Sequence, residues 1–185
     1  MRIIAGKWGG RRINAPTGRD VRPTTDKVRE AIFGSLGTIV VGANVLDVFG
    51  GSGAFGLEAA SRGAARVVII EKNSRAQRGI RNNIDILHAE PEVQLIRAPY
   101  ERAMQSLADT IQFNLFFLDP PYASHQYVPA VECIMHNKLA MPGAMFVFES
   151  DSELDVGSTD LTVTRRKRYG TVHVTYGVYE SRTRT

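Results

Sequence analysis

Short apolar runs alternate along the chain with longer segments whose apolar residues recur at helical spacing. The runs predicted as strands are 45–49, 67–71, 93–97, 114–119 and 144–149. The segments predicted as helices begin near residues 24, 54, 74, 100 and 127. Because strands that alternate with helices pair in parallel through right-handed crossovers, the pattern predicts an α/β fold with a doubly wound sheet.

The two ends of the chain depart from this alternation. Residues 161–164 and 172–179 alternate polar with β-branched or aromatic side chains, which predicts an antiparallel hairpin that closes a seven-stranded sheet. The basic run 165–168 between them fits a solvated turn or a nucleic-acid contact. Isoleucines flank three glycines in residues 1–16, which predicts a small β-hairpin with a flexible, basic tip. The expected domains are an N-terminal hairpin extension, 1–22, and a main domain, 23–185.

Positive charge is concentrated at the N-terminus. The net charge of the chain is +4, yet residues 1–29 alone sum to +6 and the remainder therefore to −2. Such a basic arm is typical of proteins that contact phosphate backbones, although a solvated charged face would look the same. The candidate substrate-binding cations are Arg11, Arg12, Arg22 and Arg29, and the last two could instead reach a carboxylate near a cofactor. Trp8, within this arm, could stack on an unpaired base or fill a small core.

Several classes of protein are disfavoured by composition. Cys133 is the only cysteine, so no intrachain disulfide can form and a reducing cytoplasm is the expected location. No apolar run approaches the ~20 residues of a membrane span, and no membrane association is expected. The histidines are widely separated, without acids or cysteines at ligand spacing, and no metal site is predicted.

A glycine-rich turn follows the first predicted strand and forms a candidate cofactor site. Gly50, Gly51 and Gly53 precede a helix whose free N–H groups point into the turn, and Glu71 ends the next strand. This spacing alone would also suit a nicotinamide dinucleotide. Asp47 lies inside the first strand, which is unusual for dinucleotide binders and suits a methionyl ammonium group instead.

A second candidate site is the sequence Asp119-Pro120-Pro121-Tyr122, which follows the fourth predicted strand. It is expected at the same edge of the sheet as the glycine turn, because both follow parallel strands. The Asp119 carboxylate and the Pro120 carbonyl are acceptors that match the two hydrogens of an exocyclic amine, and Tyr122 offers a ring on which a base can stack. His125 is expected to be a polar loop residue, since this chemistry needs no general base.

These motifs resemble those of the bacterial RsmD-type family of small-subunit ribosomal RNA guanine-N2 methyltransferases. The resemblance extends over nearly the whole chain, and its carriers are residues 2–6, 22–33, 46–58, 61–64, 119–122 and the hairpin at Tyr169-Gly170. It implies a class I methyltransferase fold, Rossmann-like, with the last strand antiparallel. Gly50 departs from the family, which more often has alanine there.

The resemblance also implies roles for the candidate residues. Asp47 and the turn 50–53 would hold the methionine part of S-adenosylmethionine, Glu71 the ribose hydroxyls and the backbone at Ala98 the adenine. Asp119, Pro120, Pro121 and Tyr122 would hold the target guanine, with Asp119, Pro120 and Tyr122 catalytic.

The predicted function is methyl transfer to the exocyclic N2 of a guanine in 16S ribosomal RNA. The expected partner is ribosomal RNA within a small-subunit assembly particle, and a monomer is expected. Two alternatives remain open from the residues: an adenine-N6 nucleic-acid methyltransferase, and a non-catalytic RNA-binding or ribosome-assembly protein with a vestigial cofactor site.

Overall fold

The computed structural model describes residues 1–15, 25–121, 125–157 and 159–180. The helices are α1 (Asp26–Leu36), α2 (Ala54–Ser61), α3 (Ser74–Leu87), α4 (Tyr100–Leu107) and α5 (Tyr127–His136), with a 3₁₀ turn at Gly37–Val40. The strands are β1 (Asn44–Asp47), β2 (Arg66–Ile70), β3 (Val93–Ile96), β4 (Phe113–Leu118), β5 (Ala140–Ser150), β6 (Leu161–Tyr169) and β7 (Val172–Tyr179).

The strands form one seven-stranded sheet in the order β3-β2-β1-β4-β5-β7-β6. Strands β1 to β5 are parallel, and β7 runs antiparallel to β5 and β6. The predicted doubly wound sheet with an antiparallel last strand is therefore confirmed. The chain order reverses between β1 and β4, and the loops that follow these two strands meet at the carboxyl edge of the sheet.

Both faces of the central strands are buried, which explains their unbroken apolar composition. Successive residues of β1 contribute to opposite faces: Val45 packs in one apolar cluster and Leu46 in the other. The first cluster includes residues of α1, α2 and α3, and the second includes residues of α4 and α5. Among the described residues, no helix is long and apolar enough to cross a lipid bilayer.

Residues 1–15 form a hairpin, but a minimal one. Its ladder contains a single antiparallel bridge between Arg2 and Arg12, supported by a hydrogen bond from the Ile3 N–H to the Arg11 carbonyl (3.0 Å). The tip packs on α2 instead of projecting freely, because a Cβ on Gly6 would lie only 1.9 Å from the Ser61 carbonyl oxygen. Trp8 is buried in the first apolar cluster, which decides between its two predicted roles in favour of the core. The expected domain boundary lies at residues 16–24, outside the described residues, and stays a prediction.

The C-terminal hairpin differs from its predicted form. The basic run 165–168 lies inside β6 and pairs with β7, so the turn falls at Gly170-Thr171. The expectation of a basic turn was wrong. Side chains on both faces of an edge strand can be charged, so such a strand lacks the alternation of polar and apolar residues by which strands are predicted. Strand β5 also begins earlier than predicted, at Ala140, with an irregularity in its pairing opposite residues 113–115.

Candidate active site

The glycine turn between β1 and α2 brings backbone N–H groups to the carboxyl edge of the sheet. Gly51 and Gly53 adopt φ angles of 55° and 77°, which side chains disfavour. Gly50 packs directly on β2, since a Cβ there would lie 2.5 Å from Cγ2 of Ile69 and 3.1 Å from the Ile70 carbonyl oxygen. The main chain of the turn therefore packs closely on β2, with glycine required at these positions.

Asp47 ends β1 beneath this turn and is 2% exposed. Its Oδ2 accepts a hydrogen bond from the Gly56 N–H at 3.1 Å. Burial raises the pKa of Asp47 to about 7, and the nearby charge of Glu71 adds to this, while hydrogen bonds from the Gly56 and Phe49 amides oppose it. A cation placed beside Asp47 would relieve the cost of its buried charge.

Glu71 follows β2 and lies across the glycine turn. Its Oε2 accepts a hydrogen bond from the Gly51 N–H at 2.8 Å, and its Oε1 accepts one from the Asn73 N–H at 2.7 Å. An acid at this place after the second strand suits ribose hydroxyls in dinucleotide-binding folds too, so Glu71 alone does not choose between the two cofactors. Asp47 makes the choice, because its buried carboxylate favours a ligand with a positively charged group.

Ala98 lies in the loop between β3 and α4, half-buried, at the same edge of the sheet. Phe49 and Tyr100 pack on the second apolar cluster together with Ala98. Their rings meet edge to face, with centroids 5.5 Å apart. Neither aromatic residue was predicted as part of the site, since Phe49 fell in a run predicted as a buried strand and Tyr100 at the start of a predicted helix. They provide apolar surface beside the predicted adenine contact.

Asp119 directly follows β4 and is partly exposed, with Pro120 buried behind it and Pro121 exposed. Burial raises the pKa of Asp119 well above its usual value, and the charges of Glu149 and Asp47 raise it further. Asp47 pairs with Phe117 in the parallel strand β4, so Asp119, two residues further on, lies at the same edge of the sheet as Asp47. Tyr122 lies outside the described residues, and His125 is exposed with a φ angle of 47°.

Glu149 is a further acid of this site that sequence reasoning missed. It follows Phe148, which pairs with Leu118, so it lies beside Asp119 in the neighbouring strand, and it is 2% exposed. Asp119 and Glu149 border a narrow cleft, with no room for a water molecule, whose other walls are Phe55, Phe117, Leu118 and Val147. The signal was present in the sequence, because β5 ends in an acid after an apolar run just as β1 and β4 do.

The structure separates the predicted substrate-binding cations. Arg29 is fully buried, where its Nη2 contacts Asp26 Oδ1 at 3.0 Å and the Arg2 carbonyl, and its Nε lies 3.7 Å from Glu58 Oε2. Its assignment to RNA binding is corrected, because a side chain with no exposed surface cannot offer its charge to a phosphate. Arg11 and Arg12 are exposed, and the Arg11 guanidinium donates to the Ile86 carbonyl. Arg22 lies outside the described residues.

Metal ligands are not grouped in this site. Within the described ranges, no cluster of three or more His, Cys, Asp or Glu side chains is arranged to hold a metal ion. The acids at the carboxyl edge are instead distributed over the ends of neighbouring strands.

Comparisons with known proteins agree with this geometry. The family model described as Conserved hypothetical protein 95 matches residues 1–178. The ribosomal RNA small subunit methyltransferase D of Escherichia coli (strain K12) is 34% identical over 183 residues, which cover 97% of this chain and 89% of that protein.

Solved structures are similar over most of the chain. The Escherichia coli protein yhhF, described as a methyltransferase, has a TM-score of 0.86 at 30% identity and covers 98% of this chain and 99% of its own. An RNA methyltransferase from Salinibacter ruber in complex with S-adenosyl-L-homocysteine shares the fold, with a TM-score of 0.66, 16% identity and 86% and 95% of the two chains covered. The chain belongs to the Conserved hypothetical protein 95 family, and the resemblance to RsmD-type methyltransferases is confirmed.

Proposed function

We propose that the protein transfers a methyl group from S-adenosylmethionine to the exocyclic N2 of a guanine in small-subunit (16S) ribosomal RNA. The observation that carries the proposal is the group of acids at the carboxyl edge, in which Asp47 and Glu71 border the glycine turn and Asp119 faces the cleft beside it. The relative in Escherichia coli is named for the same substrate, small-subunit ribosomal RNA.

The residues fit this cofactor better than a phosphate-bearing one. When bound, S-adenosylmethionine supplies an electrophilic methyl group on a positively charged sulfur. Asp47 would hold the methionine ammonium together with the turn at Gly50, Gly51 and Gly53, and Glu71 would accept hydrogen bonds from the ribose hydroxyls. The backbone at Ala98 would contact the adenine. The buried charge of Asp47 would attract this cation and would disfavour an anionic group beside it.

The part of the site around Asp119 suits an exocyclic amine. The Asp119 carboxylate and the Pro120 carbonyl would accept hydrogen bonds from the two N–H groups of this amine and turn its lone pair out of conjugation with the ring. Pro121 and Tyr122 would border the base. As the methyl group is transferred the amine would give up one proton, and the Asp119 carboxylate beside it would accept that proton. Holding the amine in line would supply most of the rate.

RNA is proposed to reach the site along the exposed cations Arg11 and Arg12, whose charges suit phosphates, and Arg22, outside the described residues, is proposed to add to them. The proposed substrate is ribosomal RNA in a small-subunit assembly particle in the cytoplasm, and the protein is proposed to act as a monomer. An adenine amine would also satisfy the acceptors of Asp119 and Pro120. Guanine is proposed over adenine because the motifs of the chain resemble those of the RsmD-type guanine-N2 methyltransferases.

Replacing Asp119 tests whether the cleft performs the chemistry. Asp119→Ala is expected to reduce methyl transfer by at least about 100-fold, since it removes an acceptor that acts on the reacting amine, while cofactor affinity stays within a few-fold. The measurements are transfer of radiolabelled methyl groups to small-subunit particles and cofactor binding by calorimetry. Asp160→Ala, an exposed aspartate in the loop before β6, is the control and should match the wild type. Wild-type activity in Asp119→Ala would make Asp119 a structural strand end.

A further inference from the structure

The basic run left open by the sequence forms a continuous charged surface on the outermost strand of the sheet. Arg165, Arg166, Lys167 and Arg168 are all exposed and lie in β6, which pairs only with β7. We call these four residues the β6 cations. Because successive residues of a strand point to opposite faces, the β6 cations put two charges on each face of this edge.

The β6 cations lie on the side of the sheet that holds the proposed base site. Lys167 pairs with Val174, which pairs with Glu149, and Arg168 reaches Ser150 through His173 in the same way. Two strand spacings separate Lys167 from Glu149, a distance of about 10 Å between main chains. The glycine turn and Glu71 belong to strands on the opposite side of β4.

The contacts of the β6 cations leave most of their charge unbalanced. Lys167 donates to the Ser35 hydroxyl (3.1 Å) and Arg168 to the Gly170 carbonyl (2.8 Å), and both acceptors are neutral. Arg165 lies over the ring of Tyr176. Among the described residues, Arg166 alone of the four has an acidic partner, Glu153 at 3.4 Å, and both side chains are largely exposed, so this pair is weak.

We propose that the β6 cations bind the phosphate backbone of the RNA next to the target base. The inference rests on the proposed function, because it assigns a surface to the same substrate. Cations two residues apart on a strand are about 7 Å apart, so each can contact a separate phosphate. Since phosphate contacts position a nucleic acid and carry no sequence information, this surface would orient the RNA for the cleft without selecting the guanine.

The test removes three positive charges from β6, and the control removes three positive charges from α3, on the cofactor side of the sheet. In one variant Arg166, Lys167 and Arg168 become Gln. In the control, Arg75, Arg78 and Arg81 of α3, which are equally exposed, become Gln. Binding of a small-subunit ribosomal RNA fragment is measured by fluorescence anisotropy at several salt concentrations, with methyl transfer and cofactor affinity measured in parallel.

The β6 variant is expected to bind RNA at least about 10-fold more weakly and to lose roughly 0.7 from its log–log salt slope for each phosphate contact removed. Its KM for the particle should rise, with kcat at saturation and cofactor affinity unchanged. A β6 variant that keeps the affinity and slope of the α3 control would overturn the proposal, and so would one that only aggregates, since edge-strand charges also prevent strand pairing. If the wild type itself neither binds nor methylates the RNA, the proposed function fails, which is a separate result.

Discussion

The buried charge of Asp47 lowers the stability of the ligand-free protein, although the same charge would bind the cofactor cation. Its pKa is about 7 in the folded protein and close to 3.8 when the chain is unfolded, so the folded state holds a proton over a pH range in which the unfolded state has lost it. Stability from this group is therefore present below about pH 4 and is lost as pH rises to about 7. Above that range, the ligand-free protein contains a buried charge without a cationic partner among the described residues.

Replacing Asp47 by Asn is expected to stabilise the ligand-free protein at neutral and alkaline pH. The gain should grow between about pH 4 and pH 7 and stay constant above, with an upper limit of about 4 kcal/mol from the difference between the two pKa values. Thermal unfolding at several pH values measures it, and Asp160→Asn, exposed, should show no comparable trend. Cofactor binding should weaken in the same variant. A stability difference independent of pH would contradict this assignment of Asp47.

At the scale of elements, α2 connects the glycine turn to the N-terminal hairpin. Glu58 of α2 is fully buried and accepts hydrogen bonds from the Ile4 N–H (2.7 Å) and the Ala5 N–H (3.1 Å). It also pairs with Arg62 at 2.7 Å and lies 3.7 Å from Arg29. The hairpin is thereby fixed to the helix whose first turn borders the cofactor site.

A second connection runs through Asn83 of α3, which has no exposed surface. Its side chain exchanges hydrogen bonds with the backbone of Asn14 (2.7 and 3.1 Å) and donates to the Ser52 carbonyl in the glycine turn (3.1 Å). Residues 1–15 are therefore connected to the glycine turn through Asn83 and to its helix through Glu58, and they also carry the exposed Arg11 and Arg12.

Glu58→Gln is expected to destabilise the protein by about 3–5 kcal/mol, because it leaves the buried Arg29 without its carboxylate partner on α2. Adding Arg29→Met should recover part of this loss, since it removes a buried guanidinium that would keep the partly exposed Asp26 as its acidic partner but would have lost the buried one. Denaturant unfolding of the two single variants and the double variant measures the coupling. The exposed pair of Arg81 and Asp85 in α3 is the control, and breaking it should change stability by less than about 1 kcal/mol. Equal, small effects at both pairs would show that the buried network is unimportant.

The elements also explain what could and could not be predicted from the sequence. The glycine turn, Asp47 and Asp119 were predictable because each depends on one strand and the loop that follows it. The burial of Arg29 was not, since it depends on Glu58, which lies on a different helix. The location of residues 165–168 inside a strand was missed for a different reason, because an edge strand can be charged on both faces.

In the molecule as a whole, negative charge is concentrated at the centre of the site although the net charge of the chain is +4. The acids Asp47, Glu71, Asp119 and Glu149 meet at the centre of the carboxyl edge, where a cationic cofactor and an amine would react. The exposed cations assigned to RNA lie around it, on β6 and on the N-terminal hairpin. This distribution would attract RNA phosphates to the rim and keep them out of the reacting centre.

The identity of the methylated nucleoside tests the proposed guanine-N2 methyl transfer most directly. Small-subunit particles from cells without this gene would be incubated with the purified protein and S-adenosylmethionine carrying a labelled methyl group, and their RNA digested and analysed by mass spectrometry. A guanine-N2 methyltransferase should give one labelled product, N2-methylguanosine, at no more than about one per RNA, and Asp119→Ala should give none. Label in N6-methyladenosine, or no label in the RNA at all, would contradict the proposal.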